Sequence, residues 1–136
     1  MLVTQQKVLR RFWYPVLPAS RLDDGPKPFT LLGENLALWR DSAGAAHAIE
    51  DRCCHRTAKL SPGWVDGDLI VCPYPGWAYD GAGACKRIPQ AKDPNRAVKF
   101  GVKSFRAAER YGYVWVALDE PLFDIPEFEE HDAPGF

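Results

Sequence analysis

Residues 51–80, DRCCHRTAKLSPGWVDGDLIVCPYPGWAYD, constrain the chain more than any other stretch. Cys53 and His55 stand one residue apart, sixteen residues separate His55 from Cys72, and Pro75-Gly76-Trp77 lies just beyond. The spacing describes two short loops, each led by a thiol, that close over one centre. A thiolate and a neutral imidazole from one loop, with a thiolate from the other, are donors suited to iron–sulfur or zinc chemistry. Four cysteines would also allow two disulfides, but their clustering around this stretch argues for a metal site in a reducing compartment.

Composition bounds the rest. At 136 residues the chain is expected to form one domain over 1–136, with 119–136 as an acidic, linker-like tail. A hydrophobic share of 46% fits a folded protein, and a net charge of −1 gives no argument for nucleic acid or an anionic membrane surface. The longest apolar run, VWVAL at 114–118, has the length of a core strand and not of a membrane span. Lys7, Arg10 and Arg11 are followed by no apolar segment, so no signal peptide is expected and the cytoplasm is the default location.

Short β-favouring runs recur at roughly ten-residue spacing, which predicts an all-β sandwich or barrel. Residues 12–17 read as an edge or bent strand because of Pro15 and Pro18. Residues 28–32 and 36–40 flank a hairpin turn, 46–50 runs into the first loop, and 77–79 pairs with 85–88 across Asp80-Gly81-Ala82-Gly83. A last hairpin is expected from 98–107 and 111–118, its second strand apolar on both faces and therefore central. Cys85 reads as a partly buried strand residue, His47 as a strand-surface imidazole and His131 as a solvated one in the tail. Basic residues crowd 86–110 and acids crowd 119–132; solvated surface accounts for both, with docking of an acidic electron donor on the basic stretch as a lesser reading.

Cys53-x-His55-Arg56, Leu60-Ser61-x-Gly63, Gly67 and Cys72-Pro73-Tyr74-x-Gly76-Trp77 together resemble the cluster-binding signature of a Rieske [2Fe–2S] domain, C-x-H, a spacer, then C-x-x-H. The resemblance covers roughly residues 10–130 and is nearest to the N-terminal domain of ring-hydroxylating oxygenase large subunits. There a segment similar to Trp13-Tyr14-Pro15-Val16 precedes the cluster domain, and one similar to the present tail leads to the catalytic domain. The sequence departs from the pattern at one place: Pro75 stands where the second histidine belongs.

The resemblance implies a Rieske-type antiparallel β-sandwich or barrel whose cluster-binding subdomain is made of two loops. It implies that Cys53 and Cys72 hold the inner iron of a [2Fe–2S] cluster and that His55 supplies half of the outer iron's protein ligands. Proline offers no ligating atom and no N–H, so a labile or absent cluster is expected. The implied role is one-electron relay within an oxygenase-type oxidoreductase, from a reductase or ferredoxin to a catalytic iron. A facial triad for that iron needs two histidines and a carboxylate, which this chain does not offer. Two other readings stay open: a zinc module using Cys53, His55, Cys72 and either Cys54 or Cys85, and a metal-free interaction domain of the same fold. Without metal, Cys53 and Cys72 are expected near the surface and able to form a disulfide.

Overall fold

The computed structural model describes residues 7–53, 58–73, 76–88 and 101–127. Its strands are β1 (Tyr14–Pro18), β2 (Lys27–Leu31), β3 (Glu34–Arg40), β4 (Ala46–Glu50), β5 (Trp64–Asp66), β6 (Leu69–Val71), β7 (Ala78–Tyr79), β8 (Cys85–Arg87), β9 (Ser104–Arg110) and β10 (Tyr113–Ala117). They form a six-stranded sheet in the order β1-β10-β9-β4-β3-β2 and a four-stranded sheet in the order β5-β6-β7-β8. Every pairing is antiparallel. The fold is therefore all-β, as the strand pattern predicts.

The larger sheet carries two cores because β3 and β4 are buried on both faces. Alternation sends Leu36, Leu38 and Ala48 into one cluster with Val16, Val114 and Val116. The intervening Ala37, Trp39 and Ile49 enter the other, with Cys53, Cys72 and Tyr79. One short pair of strands thus joins the body of the domain to the region where the thiols lie.

The edge position of β1 and the interior position of β10 match the sequence reading. The last hairpin is shifted: β9 runs to Arg110 and β10 begins at Tyr113. The two residues between them, Tyr111 and Gly112, both have positive φ (56° and 76°), as a two-residue primed turn requires. Residues 98–100 lie outside the described part. The β5–β6 hairpin falls inside the spacer between the two loops and is an element that the sequence reading passed over. Its turn, Gly67-Asp68, has φ 63° at Gly67, the position where glycine relieves the strain of a type II′ turn.

Side chains and backbone fasten the smaller sheet to the larger. Asp68 Oδ1 accepts from the backbone N–H and the hydroxyl of Ser42 at 3.1 and 2.5 Å. The Val102 N–H donates to the Gly83 carbonyl at 2.8 Å. At Gly81 a Cβ would stand 2.2 Å from His47 Nδ1, so only glycine lets this turn lie on the imidazole.

Candidate metal centre

Each thiol begins a loop that the backbone closes in the same way. The Cys53 N–H donates to the Ala58 carbonyl at 2.8 Å, and the Cys72 N–H donates to the Trp77 carbonyl at 2.7 Å. In both, the cysteine bonds to the residue five places on. Position 74–75 and positions 54–57, which include Cys54 and His55, lie outside the described residues.

The first loop is anchored by an acid that the sequence reading did not single out. Asp51, only 7% exposed, accepts at Oδ1 from the N–H groups of Leu60 and Ser61 and at Oδ2 from the Ser61 hydroxyl, all at 2.7 Å. Its own N–H donates to the Asn35 carbonyl at 2.9 Å, which ties the loop to the β2–β3 hairpin. A polar residue just before the first thiol and a Leu-Ser pair ten positions on are the only local signals of this clamp. A polar cleft of about 290 Å³ opens beside it, with Glu34, Glu50, Arg52 and Lys59 among its walls. With Asp51 its lining holds three acids and two bases, and Asp51 is already bonded to Leu60 and Ser61.

The two loops meet through Gly63. A Cβ there would stand 1.8 Å from the Val71 carbonyl oxygen and 3.0 Å from that of Leu60, so the chain passes against the residue preceding Cys72. Cys53 and Cys72 consequently share one buried cluster with Leu60, Ile70, Trp77 and Tyr79. The Tyr79 hydroxyl lies 3.2 Å from the Cys53 sulfur, in hydrogen-bonding reach.

Two expectations about the cysteines need correction. Cys53 and Cys72 are 1% and 0% exposed, not near the surface, because Leu60, Trp77 and Tyr79 pack over them. Cys85 is fully buried and directs its sulfur at the Arg87 carbonyl, 3.7 Å away. Among the described residues no three His, Cys, Asp or Glu side chains gather at metal-binding range, so Cys85 does not complete a zinc set with Cys53 and Cys72. His47 is likewise not a simple surface group. Its Nε2 lies 2.7 Å from Asp41 Oδ2, its ring centroid 5.2 Å from that of Trp39, and Gly81 covers it. His131 lies outside the described residues.

Among the described residues, four of the five bases of the basic stretch are ion-paired. Lys86 pairs with Asp80, Arg87 with Asp66, Arg106 with Glu120 and Arg110 with Glu127. The acids at 119 and 120 also bind the N-terminal 3-10 helix Lys7–Arg11: Arg10 reaches Asp119 at 3.0 Å and Arg11 donates to the Glu120 carbonyl. The bond from Asp119 raises the pKa of Arg10 above its ordinary value, against the opposing effect of burial.

Comparison with known proteins now bears on this geometry. The sequence profile of the Rieske [2Fe-2S] domain matches residues 12–106, which include both loops and every strand from β1 to β8. The chain belongs to the Rieske domain family. It is 37% identical to methylxanthine N1-demethylase NdmA of Pseudomonas putida over 96% of this chain and 39% of that protein. To methylxanthine N3-demethylase NdmB of the same organism it is 39% identical over 98% of this chain and 41% of the relative. The solved structure of NdmA superposes with a TM-score of 0.84 at 37% identity, covering 96% of this chain and 42% of that one. The chain therefore spans about two fifths of the length of these relatives.

A Rieske cluster asks for two thiolates and two imidazoles. The buried pair Cys53 and Cys72, with a hydroxyl beside one sulfur, suits the first requirement. The second is met by His55 at one position and by Pro75, which has no donor atom, at the other. By residue chemistry the sequence thus offers three of the four donors, of which His55 lies outside the described residues. Among the described residues no helix is long and apolar enough to cross a membrane.

Proposed function

We propose that this chain is the electron-transfer domain of an oxygenase-type oxidoreductase. It takes single electrons from a reductase or ferredoxin and passes them to a catalytic iron held outside residues 1–136, with residues 119–136 leading toward that iron. The observation that supports this best is the pair of matching loops, closed at Cys53–Ala58 and Cys72–Trp77, which gather two thiols into one buried cluster. A [2Fe–2S] cluster, when bound, supplies one-electron chemistry. Cys53, Cys72 and His55 are its protein ligands in this reading, and Pro75 leaves it weakly held. Among the relatives is an oxidoreductase, NdmD of Pseudomonas putida, 37% identical over 80% of this chain, so the domain occurs in more than one kind of redox protein. Cysteines clustered around the signature suit a reducing compartment, with the cytoplasm the default in this reading.

Reductive titration of the iron- and sulfide-reconstituted Pro75→His form tests the role. The expected result is uptake of one electron per chain with bleaching of the visible absorption. A form that binds zinc in preference to iron and sulfide, or a loaded form that accepts no electron, would favour the structural-module reading instead.

A further inference from the structure

We infer that two exposed bases beside the first thiol, Arg52 and Lys59, form a docking surface for an acidic electron-carrier protein of the ferredoxin class. The inference deepens the reading of the chain as an electron-transfer domain and rests on it for the nature of the partner.

The basic stretch at 86–110 has little charge to spare, since Lys86, Arg87, Arg106 and Arg110 are each paired with an acid of the same chain. Arg52 and Lys59, in contrast, are exposed and enter no ion pair among the described residues. Arg52 directly precedes Cys53. Lys59 directly follows Ala58, whose carbonyl accepts the Cys53 N–H at 2.8 Å. That bond holds the two bases close together, and both line the polar cleft of about 290 Å³. A third exposed base, Lys103, adjoins them through Glu50, another wall of the cleft. The Glu50 N–H donates to the Lys103 carbonyl at 2.9 Å, and Glu50 Oε1 accepts the Lys103 N–H at 2.8 Å.

The acids of the cleft are already engaged. Glu34 accepts from Arg10 at 3.1 Å, Glu50 from the Lys103 N–H, and Asp51 from Leu60 and Ser61. An incoming carboxylate therefore meets cations with no competing partner, and Arg52 can hold it through two parallel N–H groups. The same acids set the class of partner. A nucleic acid or an anionic membrane presents unbroken negative charge, which carboxylates set among the bases oppose. A folded acidic protein presents single carboxylates and can match such a mosaic. The net charge of −1 adds no general pull on a polyanion. A carrier seated here lies beside Cys53, one of the two thiols that the domain buries.

The test measures association of the chain with an acidic [2Fe–2S] ferredoxin at low and at moderate salt, and needs no metal in the chain. The complex is then treated with a carbodiimide, which joins lysine amines to the carboxylates they touch. We expect Arg52→Gln combined with Lys59→Gln to slow association by about tenfold at low salt, the lower end of what electrostatic steering supplies, and by less as salt screens it. Lys86→Gln should leave association unchanged, and cross-links should form at Lys59 and Lys103. No association, association indifferent to the double substitution, or cross-links confined to Lys27 and Lys86 overturns the inference. Tighter binding of single-stranded DNA or of phosphatidylserine vesicles, lost in the same double substitution, also overturns it by assigning the surface to a polyanion. If the loaded Pro75→His form takes up its electron while the ferredoxin ignores Arg52 and Lys59, this inference alone falls. If the ferredoxin docks there but the loaded form accepts no electron, the relay reading falls and the docking surface stands.

Discussion

Burying a carboxylate costs stability unless its oxygens find donors, and Asp51 finds three. All three come from Leu60 and Ser61, so one side chain stitches the start of the first loop to its end. Asp51→Ala leaves two buried N–H groups and a hydroxyl without that acceptor. We expect a loss of about 3 kcal/mol in urea unfolding, given that hydrogen bonds to a charged group are the stronger kind. A loss under about 1 kcal/mol would show that water replaces the carboxylate readily. The thiols themselves were legible in the sequence through their spacing, but their burial was not. A stretch carrying Cys, His, Arg and Thr looks exposed, and only the packing of Leu60, Trp77 and Tyr79 covers Cys53. Tyr79 beside the Cys53 sulfur is a contact across 26 positions that no local pattern announces.

Elements with regular alternation were the easiest to read. The 46–50 strand falls where its pattern places it, and β2 and β3 flank their turn as expected. The β5–β6 hairpin has an equally clear signal, Val65-Asp66-Gly67-Asp68-Leu69, a glycine turn between apolar residues. The same residues also read as the spacer between two ligand loops, and the local pattern does not choose between the two. His47 escaped for a different reason: Trp39 and Asp41 belong to its own hairpin, but Gly81, which covers it, comes from the turn between β7 and β8. The hydrogen bond from His47, helped by the Ala45 N–H, holds the Asp41 carboxyl below its ordinary pKa. A lowered pKa means that the folded state favours the carboxylate. The stability it gives is full above the usual aspartate range and is lost as pH falls through the lowered value. Urea unfolding of the chain and of Asp41→Asn across pH should therefore show a gap that is steady near neutrality and closes in acid. A gap that widens in acid would contradict the assignment.

On the scale of the molecule, one architectural device relates fold to function. The β3–β4 pair is buried on both faces, so the body of the sheet and the thiol-bearing subdomain share a wall. Ala37, Trp39 and Ile49 of that wall pack in one cluster with Cys53 and Cys72. That packing explains how a chain with one donor missing can keep a Rieske fold, at a TM-score of 0.84 to NdmA. The family was legible in the sequence because its signature is local and dense. The state of the metal centre was not, because one residue decides it against the remainder of the motif. The most direct measurement is the iron and acid-labile sulfide content of the anaerobically reconstituted chain beside Pro75→His, after removal of unbound metal. The account predicts two iron and two sulfide per Pro75→His chain and a clearly lower content in the present one. Equal and full content in both would contradict it, since another group would then hold the fourth position.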